Sequence, residues 1–441
     1  MREIRLKHIL ARNDGGIWGD DPSGIKDTIV LRSTEQSANG SWRISDPAER
    51  QLSEPERQRY RLREDDIVVT KSSGSELHIG KASIVNAHLA KEEPAFSNFM
   101  QRLRVRRAAV PRYIWYLLNS NRARFHYNVE ATSTSGLGNL TGGIIGELRV
   151  PVGALDTQKA IADLLDRETA RIDQLITKKQ RLVALLGEKF ETETNRLMTR
   201  GVKSDKSGFV RSVYHWAPEV PAHWTQTPLR QLLRLTSRSV GEKSGDYVLL
   251  SLTKQGVIPR DIESGKGKFP SDFSTYQVVK PNQLVLCLFD VDETPRTVGL
   301  SMYKGMITGA YTVADINADR VDRDFIYYHL LYLDNGKRLR PFYTGLRKVI
   351  RPQTFLNIRI PLPPVEEQKQ IVQELQHWER RAKEISKKTN ASIDRLKEYR
   401  SALITAAVTG QIDVETWGKK EQTDRRLDQI EQDMSLREAP A

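Results

Sequence analysis

One cysteine stands in 441 residues. Cys287 has no partner for an intrachain disulfide. It lies in the apolar run Leu284-Val285-Leu286-Cys287-Leu288-Phe289, which reads as a core strand rather than a reactive site. Long hydrophobic runs are also missing: nothing approaches the roughly 18 apolar residues needed to span a membrane. Met1-Arg2-Glu3-Ile4-Arg5 lacks the apolar stretch of a signal peptide, so a reduced, soluble, cytoplasmic chain is expected. Catalytic signatures are equally scarce. From Gly74 to Gly80-Lys81 the spacing is one residue too long for a phosphate loop, and Ala82 stands where Ser or Thr should bind magnesium. The histidines, His215 and His223 among them, show no metal-ligand spacing. Pro363-Pro364 is flanked by Leu362 and Val365, which can neither hold an adenine amino group nor stack on a flipped base. The paired acids Glu366-Glu367 begin a helix, where they suit its dipole. No catalytic residue, metal or cofactor is expected.

What is present is positive charge and repetition. The formal charge is +13, and both halves share it: 23 basic against 19 acidic residues over 1–157, and 20 against 13 over 223–365. Such a surplus favours an anionic partner, although simple solubility would also account for it. The repetition is a proline-led segment. Val150-Pro151-Val152-Gly153-Ala154-Leu155-Asp156-Thr157-Gln158-Lys159-Ala160-Ile161 returns as Ile360-Pro361-Leu362-Pro363-Pro364-Val365-Glu366-Glu367-Gln368-Lys369-Gln370-Ile371. Proline, glutamine, lysine and isoleucine keep register over about 210 residues, the period of a duplicated domain rather than of a solenoid. The duplication extends further. Asp66-Ile67-Val68-Val69-Thr70 and Asn282-Gln283-Leu284-Val285-Leu286 read as strands followed by loops. Pro111-Arg112-Tyr113-Ile114-Trp115-Tyr116 and Phe325-Ile326-Tyr327-Tyr328-His329-Leu330 read as aromatic helix starts, and each precedes a polar loop with Gly-Leu, at Gly136-Leu137 and Gly345-Leu346.

Each proline segment opens a long charged helix. In the first, Ile161, Leu165, Ile172, Leu175, Leu182 and Leu186 recur at helical spacing, interrupted by Glu168 and Lys179. In the second, Ile371, Leu375, Trp378, Ala382, Ile385, Thr389, Ser392, Leu396, Tyr399 and Leu403 step by four and three, a heptad seam with two polar positions. Two lone seams leaving equivalent points of equivalent domains predict an antiparallel coiled coil. The expected fold is α+β: two similar globular α/β domains joined by two long helices, with a pseudo-two-fold internal repeat. The expected parts are a first domain at 1–157, a helix at 158–200, a linker at 201–222, a second domain at 223–365, a helix at 366–408 and a polar, disordered or frayed tail at 409–441.

Taken together, the two proline-glutamine segments, the strand and loop from Asp66 to Gly80, and Val220-Pro221-Ala222-His223-Trp224 resemble the specificity subunit of a type I restriction–modification system. The likeness covers nearly all of residues 1–408. It implies two target-recognition domains that each read half of a split sequence in double-stranded DNA. It also implies helices that set the spacing and dock methyltransferase subunits, two being expected, with restriction/translocase subunits completing the enzyme. Methyl transfer, ATP use and cleavage would belong to those partners, and no membrane is involved. Ile161, Leu165, Ile172, Leu175, Leu182 and Leu186 of the first helix, and Ile371, Leu375, Trp378, Ile385, Leu396, Tyr399 and Leu403 of the second, then serve both the helix pair and subunit docking.

Candidate DNA contacts follow from residue type. Arg102, Arg104 and Arg106 alternate, with Arg107 adjoining, and on a strand would line one face for phosphate contact. Arg57, Arg59, Arg61 and Arg63 alternate likewise, diluted by Glu56 and Glu64. A solvated sheet face is the plainer reading of both. Lys266, Lys268, Arg347, Lys348 and Arg351 are the counterparts in the second half. For base reading, side chains on adaptable loops are needed: Lys71, Ser72, Ser73, Thr134 and Ser135 in the first domain, and Asp292, Arg296 and Arg347 in the second. A coiled-coil adaptor without a DNA role is the rival reading, and a self-contained nuclease or methyltransferase a weaker one.

Overall fold

The computed structural model describes residues 1–417 except 38, 73–77, 132–139, 203–207, 215 and 261–271, together with Gln429. Two compact units emerge: Met1–Leu182 with Lys387–Ala441, and Val183–Ser386.

In the first unit, strands Arg2–Arg5 and Arg149–Val152 pair antiparallel and bring the two ends of the domain together. A four-stranded antiparallel sheet follows the order Leu10–Gly15, Met100–Val105, Ile67–Thr70, Ala82–Ile84. Ile67-Val68-Val69-Thr70 is buried along its whole length, as befits a β-branched run covered on both faces. The aromatic helix Pro111–Leu118, with proline in its first turn, contributes Tyr113, Ile114, Tyr116 and Leu117 to the same core as Ile67 and Leu103.

The second unit repeats this plan. Thr225–Pro228 pairs with Arg359–Leu362, and the sheet runs Leu233–Thr236, Thr312–Ile316, Leu284–Leu286, Val298–Leu300. Its aromatic helix is Arg323–Asn335, capped by the Asp322 side chain. Cys287 is buried, and burial pushes its thiol up, consistent with the core reading.

The glutamine of the repeated segment now has a role. Gln158 is fully buried, accepts the Val110 N–H at 2.9 Å and donates to the Gly153 carbonyl at 2.9 Å. Gln368 accepts the Asp322 N–H at 2.7 Å and donates to the Pro363 carbonyl at 2.8 Å. In each unit one amide thus ties the start of the aromatic helix to the turn that opens the long helix. Because that turn is gripped through a backbone carbonyl, Gly153-Ala154 and Pro363-Pro364 serve equally. A second lock recurs: Tyr116 donates to Asp166 at 2.7 Å, and Tyr328 to Glu379 at 2.6 Å.

The long helices span Leu155–Arg200 and Val365–Val408. Within the first unit, Ile161, Leu165 and Ile172 share a core with Leu396, Leu403 and Ile404, and Arg400 pairs with Asp173 at 3.0 Å. Within the second, Leu197 and Met198 share a core with Ile371 and Leu375, and the Lys189 ammonium lies over Trp378. The helices run antiparallel. Leu175, Leu186, Trp378, Ile385 and Tyr399 are half-buried. Leu182 departs from the expected seam, being 44% exposed. A straight helix drifts about 20° per heptad from a 3.5-residue repeat, so three heptads carry Leu182 roughly 60° away from Ile161.

The segment 201–222, expected as a linker, carries an antiparallel hairpin of Phe209–Arg211 with Glu219–Pro221. Ala217 and Val220 are buried in the second unit's core, and Tyr214 stacks on Trp216. After Gly410, Ile412, Val414 and Trp417 pack against the first unit's core; the rest of the expected polar tail, Gln429 apart, lies outside the described residues. No helix among the described residues is long and apolar enough to cross a membrane.

Candidate nucleic-acid interface

The first arginine stripe does lie on a strand, Met100–Val105, but its inner members face protein. Arg102 is 1% exposed, pairs with Asp14 directly across the ladder at 2.6 Å, and donates to the Arg59 and Arg61 carbonyls at 3.0 Å. Arg104 pairs at 2.6 Å through both arms with Asp66, whose carboxylate is wholly buried. These hydrogen bonds push the Arg104 guanidinium further up. Both arginines bolt the sheet to its surroundings, correcting the expected phosphate contacts: the acids that claim them lie far away in sequence. Arg106 is exposed, with its Nε held by the Leu10 carbonyl at 2.8 Å. Arg107 is exposed and has no side-chain partner among the described residues.

The Arg57–Arg63 stripe is corrected too. Glu54–Tyr60 is a helix with a Ser53–Glu56 capping box, so alternate residues do not share a face. Arg57 is spent on the Leu52 and Lys26 carbonyls, and Arg61 pairs with Glu93 at 2.6 Å. Lys81, of the near phosphate loop, is buried with its ammonium on the Gln36 carbonyl at 3.2 Å. Burial, with Arg124 nearby, pushes that ammonium down.

Lys71 and Ser72 are half-buried, and their N–H groups bond the Phe99 carbonyl. Ser73, Thr134, Ser135, Lys266 and Lys268 lie outside the described residues.

In the second unit two distant loops are drawn together. Asp292 is ringed by Arg340 at 3.1 Å, the Tyr343 hydroxyl at 3.0 Å and Lys348 at 3.3 Å. Burial pushes its carboxyl up, but these three donors outweigh burial and hold it below the usual carboxylate range. Asp292 is therefore a brace rather than a free base-reading group, since three donors already hold its carboxylate. Lys348 also pairs with Glu293 and is largely consumed. Arg347 is 73% exposed, loosely paired with Asp290 at 3.4 Å and set over the Phe289 ring at 5.8 Å. Arg351 caps the helix Pro352–Asn357 by position, is exposed, and has no side-chain partner among the described residues. Arg296 is half-buried and lines a cleft of about 720 Å³ with Tyr327, Tyr328, Lys337 and Glu379. The bracing residues Arg340 and Tyr343 escaped the sequence reading; an acid-free run of four cations from Arg340 to Arg351 was the signal available.

Among the described residues, no group of three or more His, Cys, Asp and Glu is placed to hold a metal.

The sequence matches the model of the type I restriction modification DNA specificity domain over residues 38–184 and 297–395, more than half of the chain. The chain belongs to this family. Two specificity subunits of Methanocaldococcus jannaschii are similar across most of their length. The type I restriction enzyme MjaVIII specificity subunit is 25% identical over 386 residues, 80% of each chain. The "putative type I restriction enzyme MjaX specificity subunit" is 25% identical over 373 residues, 81% of each. In fold, the chain resembles one from a solved type I R-M system structure concerned with complex assembly and conformational transition. That likeness has a TM-score of 0.60 at 16% identity and covers 92% of this chain and 97% of the other.

Proposed function

We propose that this chain is the non-catalytic, DNA-reading and assembling subunit of a cytoplasmic type I restriction–modification enzyme. Each domain reads one half of a split target in double-stranded DNA. The paired helices set the distance between the halves and dock two methyltransferase subunits, with restriction/translocase subunits joining that core. The observation that carries this reading is the duplicated lock: Gln158 and Gln368 fix two domains of the same plan, each in the same way, to two antiparallel helices. A coiled-coil adaptor would need no second copy of a domain with exposed arginines such as Arg107 and Arg351. Phosphate contacts by those residues would position the protein, while loop side chains read bases.

Co-expression with the neighbouring methyltransferase subunits, followed by sequencing of methylated adenines, tests the proposal. A split motif with two fixed halves and an unspecific spacer is expected. Methylation of a continuous motif, or turnover by this chain alone when given methyl donor, magnesium and ATP, would contradict it.

A further inference from the structure

The hairpin 344–349 in the second unit has a construction that DNA recognition in general does not require. Thr344 and Val349 exchange both backbone hydrogen bonds, at 3.0 and 3.1 Å, and Lys348 N–H closes the turn on the Gly345 carbonyl at 3.1 Å. Gly345 and Lys348 both take positive φ, 75° and 44°, so the turn is tight, and at Lys348 it is adopted against the side chain's preference. The hairpin is then fastened to the loop 288–294. Asp290 N–H donates to the Arg347 carbonyl at 2.8 Å, Ile350 N–H donates to the Leu288 carbonyl at 2.8 Å, and the Asp292 and Glu293 carboxylates hold Lys348. The loop 288–294 is itself pinned by Lys337, which donates to the carbonyls of Val291 and Thr294 at 2.9 and 2.8 Å.

At the tip of this rigid turn stands Leu346, fully exposed. A single exposed leucine is ordinary on a protein surface. Here the neighbouring stretch of chain adds the exposed Arg347 and Arg351, while Asp290, Asp292 and Glu293 pair with Arg347 and Lys348 at the base of the turn. No acid occurs between Arg340 and Arg351. An apolar side chain held stiffly on a turn that also carries exposed guanidinium groups fits a surface with anionic rails and an apolar spot between them. The major groove offers that: phosphates on both sides, and the 5-methyl group of thymine as its one apolar base feature.

Resting on the function proposed above, we infer that Leu346 is a specificity-determining residue of the second domain, which reads a thymine through its 5-methyl group while Arg347 and Arg351 take the flanking phosphates. The braces at Asp290, Asp292 and Glu293 hold the tip so that the contact is made without reordering the loop on binding.

Duplex oligonucleotides carrying the methylome-defined target test this, with uracil replacing thymine at one position at a time, bound by the specificity–methyltransferase complex. For the native complex, one uracil in one half-site should weaken binding about three- to five-fold, the value of burying one methyl group. Leu346→Ala should bind the thymine duplex about as weakly as the native complex binds that uracil duplex, and should lose the distinction between the two. Leu346→Met should retain it. Uracils in the other half-site should affect native and variant complexes alike. A native complex indifferent to every uracil, or an undiminished uracil penalty in Leu346→Ala, would overturn the inference and leave the function standing. A complex that selects no split sequence at all would remove both.

Discussion

Arg102 and Arg104 show what alternation can and cannot tell. The period of two put them on one face of a strand, as expected, but which way that face looks depends on Asp14 and Asp66, whose positions no local pattern reveals. Removing a buried donor leaves the acceptors it served unsatisfied. We predict that Arg102→Ala lowers the stability of the first unit by about 1–3 kcal/mol, measured by urea unfolding, because the Arg59 and Arg61 carbonyls lose their donor and Asp14 is left with Arg12 at 3.6 Å. A change within about 0.5 kcal/mol, typical of a surface site, would show Arg102 to be free. Arg107, next to the strand, has the opposite character. Arg107→Ala should leave stability unchanged, weaken binding to every sequence alike, and reduce the slope of log affinity against log salt by about one. Altered sequence preference, or an unchanged slope, would remove it from the phosphate-contacting set.

At the scale of elements, the long helices, the aromatic helices and the buried strands were legible, because each has a long or strongly apolar period. The hairpin of Phe209–Arg211 with Glu219–Pro221 was not: its strands are three residues each, within a stretch rich in lysine, serine and proline, and it is anchored by contacts with distant residues of the second unit's core through Trp216, Ala217 and Val220. The repeated glutamine was visible in the sequence, but its two bonds were not, since one of its partners lies 48 and 46 residues upstream in the respective copies. Its loss should act locally. Gln158→Ala should speed amide exchange in Pro111–Leu118 and leave Arg323–Asn335 unchanged, and Gln368→Ala should do the reverse. Each change should cost about 1–3 kcal/mol for the stranded backbone groups. Equal effects of either variant on both helices would show that the two locks are not independent.

For the whole molecule, the 210-residue period was the most telling feature of the sequence, and it corresponds to two units of the same strand order. The recognised bases were not legible, because they depend on loop side chains such as Leu346 whose reach is set by bracing residues elsewhere. The central claim is mechanical: the uninterrupted helix Leu155–Arg200, about 69 Å long at 1.5 Å per residue, sets the spacing of the two half-sites together with its antiparallel partner. The direct test inserts four residues between Leu175 and Leu182, with a matching insertion in the facing stretch of Val365–Val408 to keep the seam. Four residues lengthen a helix by about 6 Å while nearly preserving its face. Sequencing of methylated adenines should then return the same two half-sites with the unspecific spacer longer by one or two base pairs. An active variant that methylates the original spacing would contradict the account.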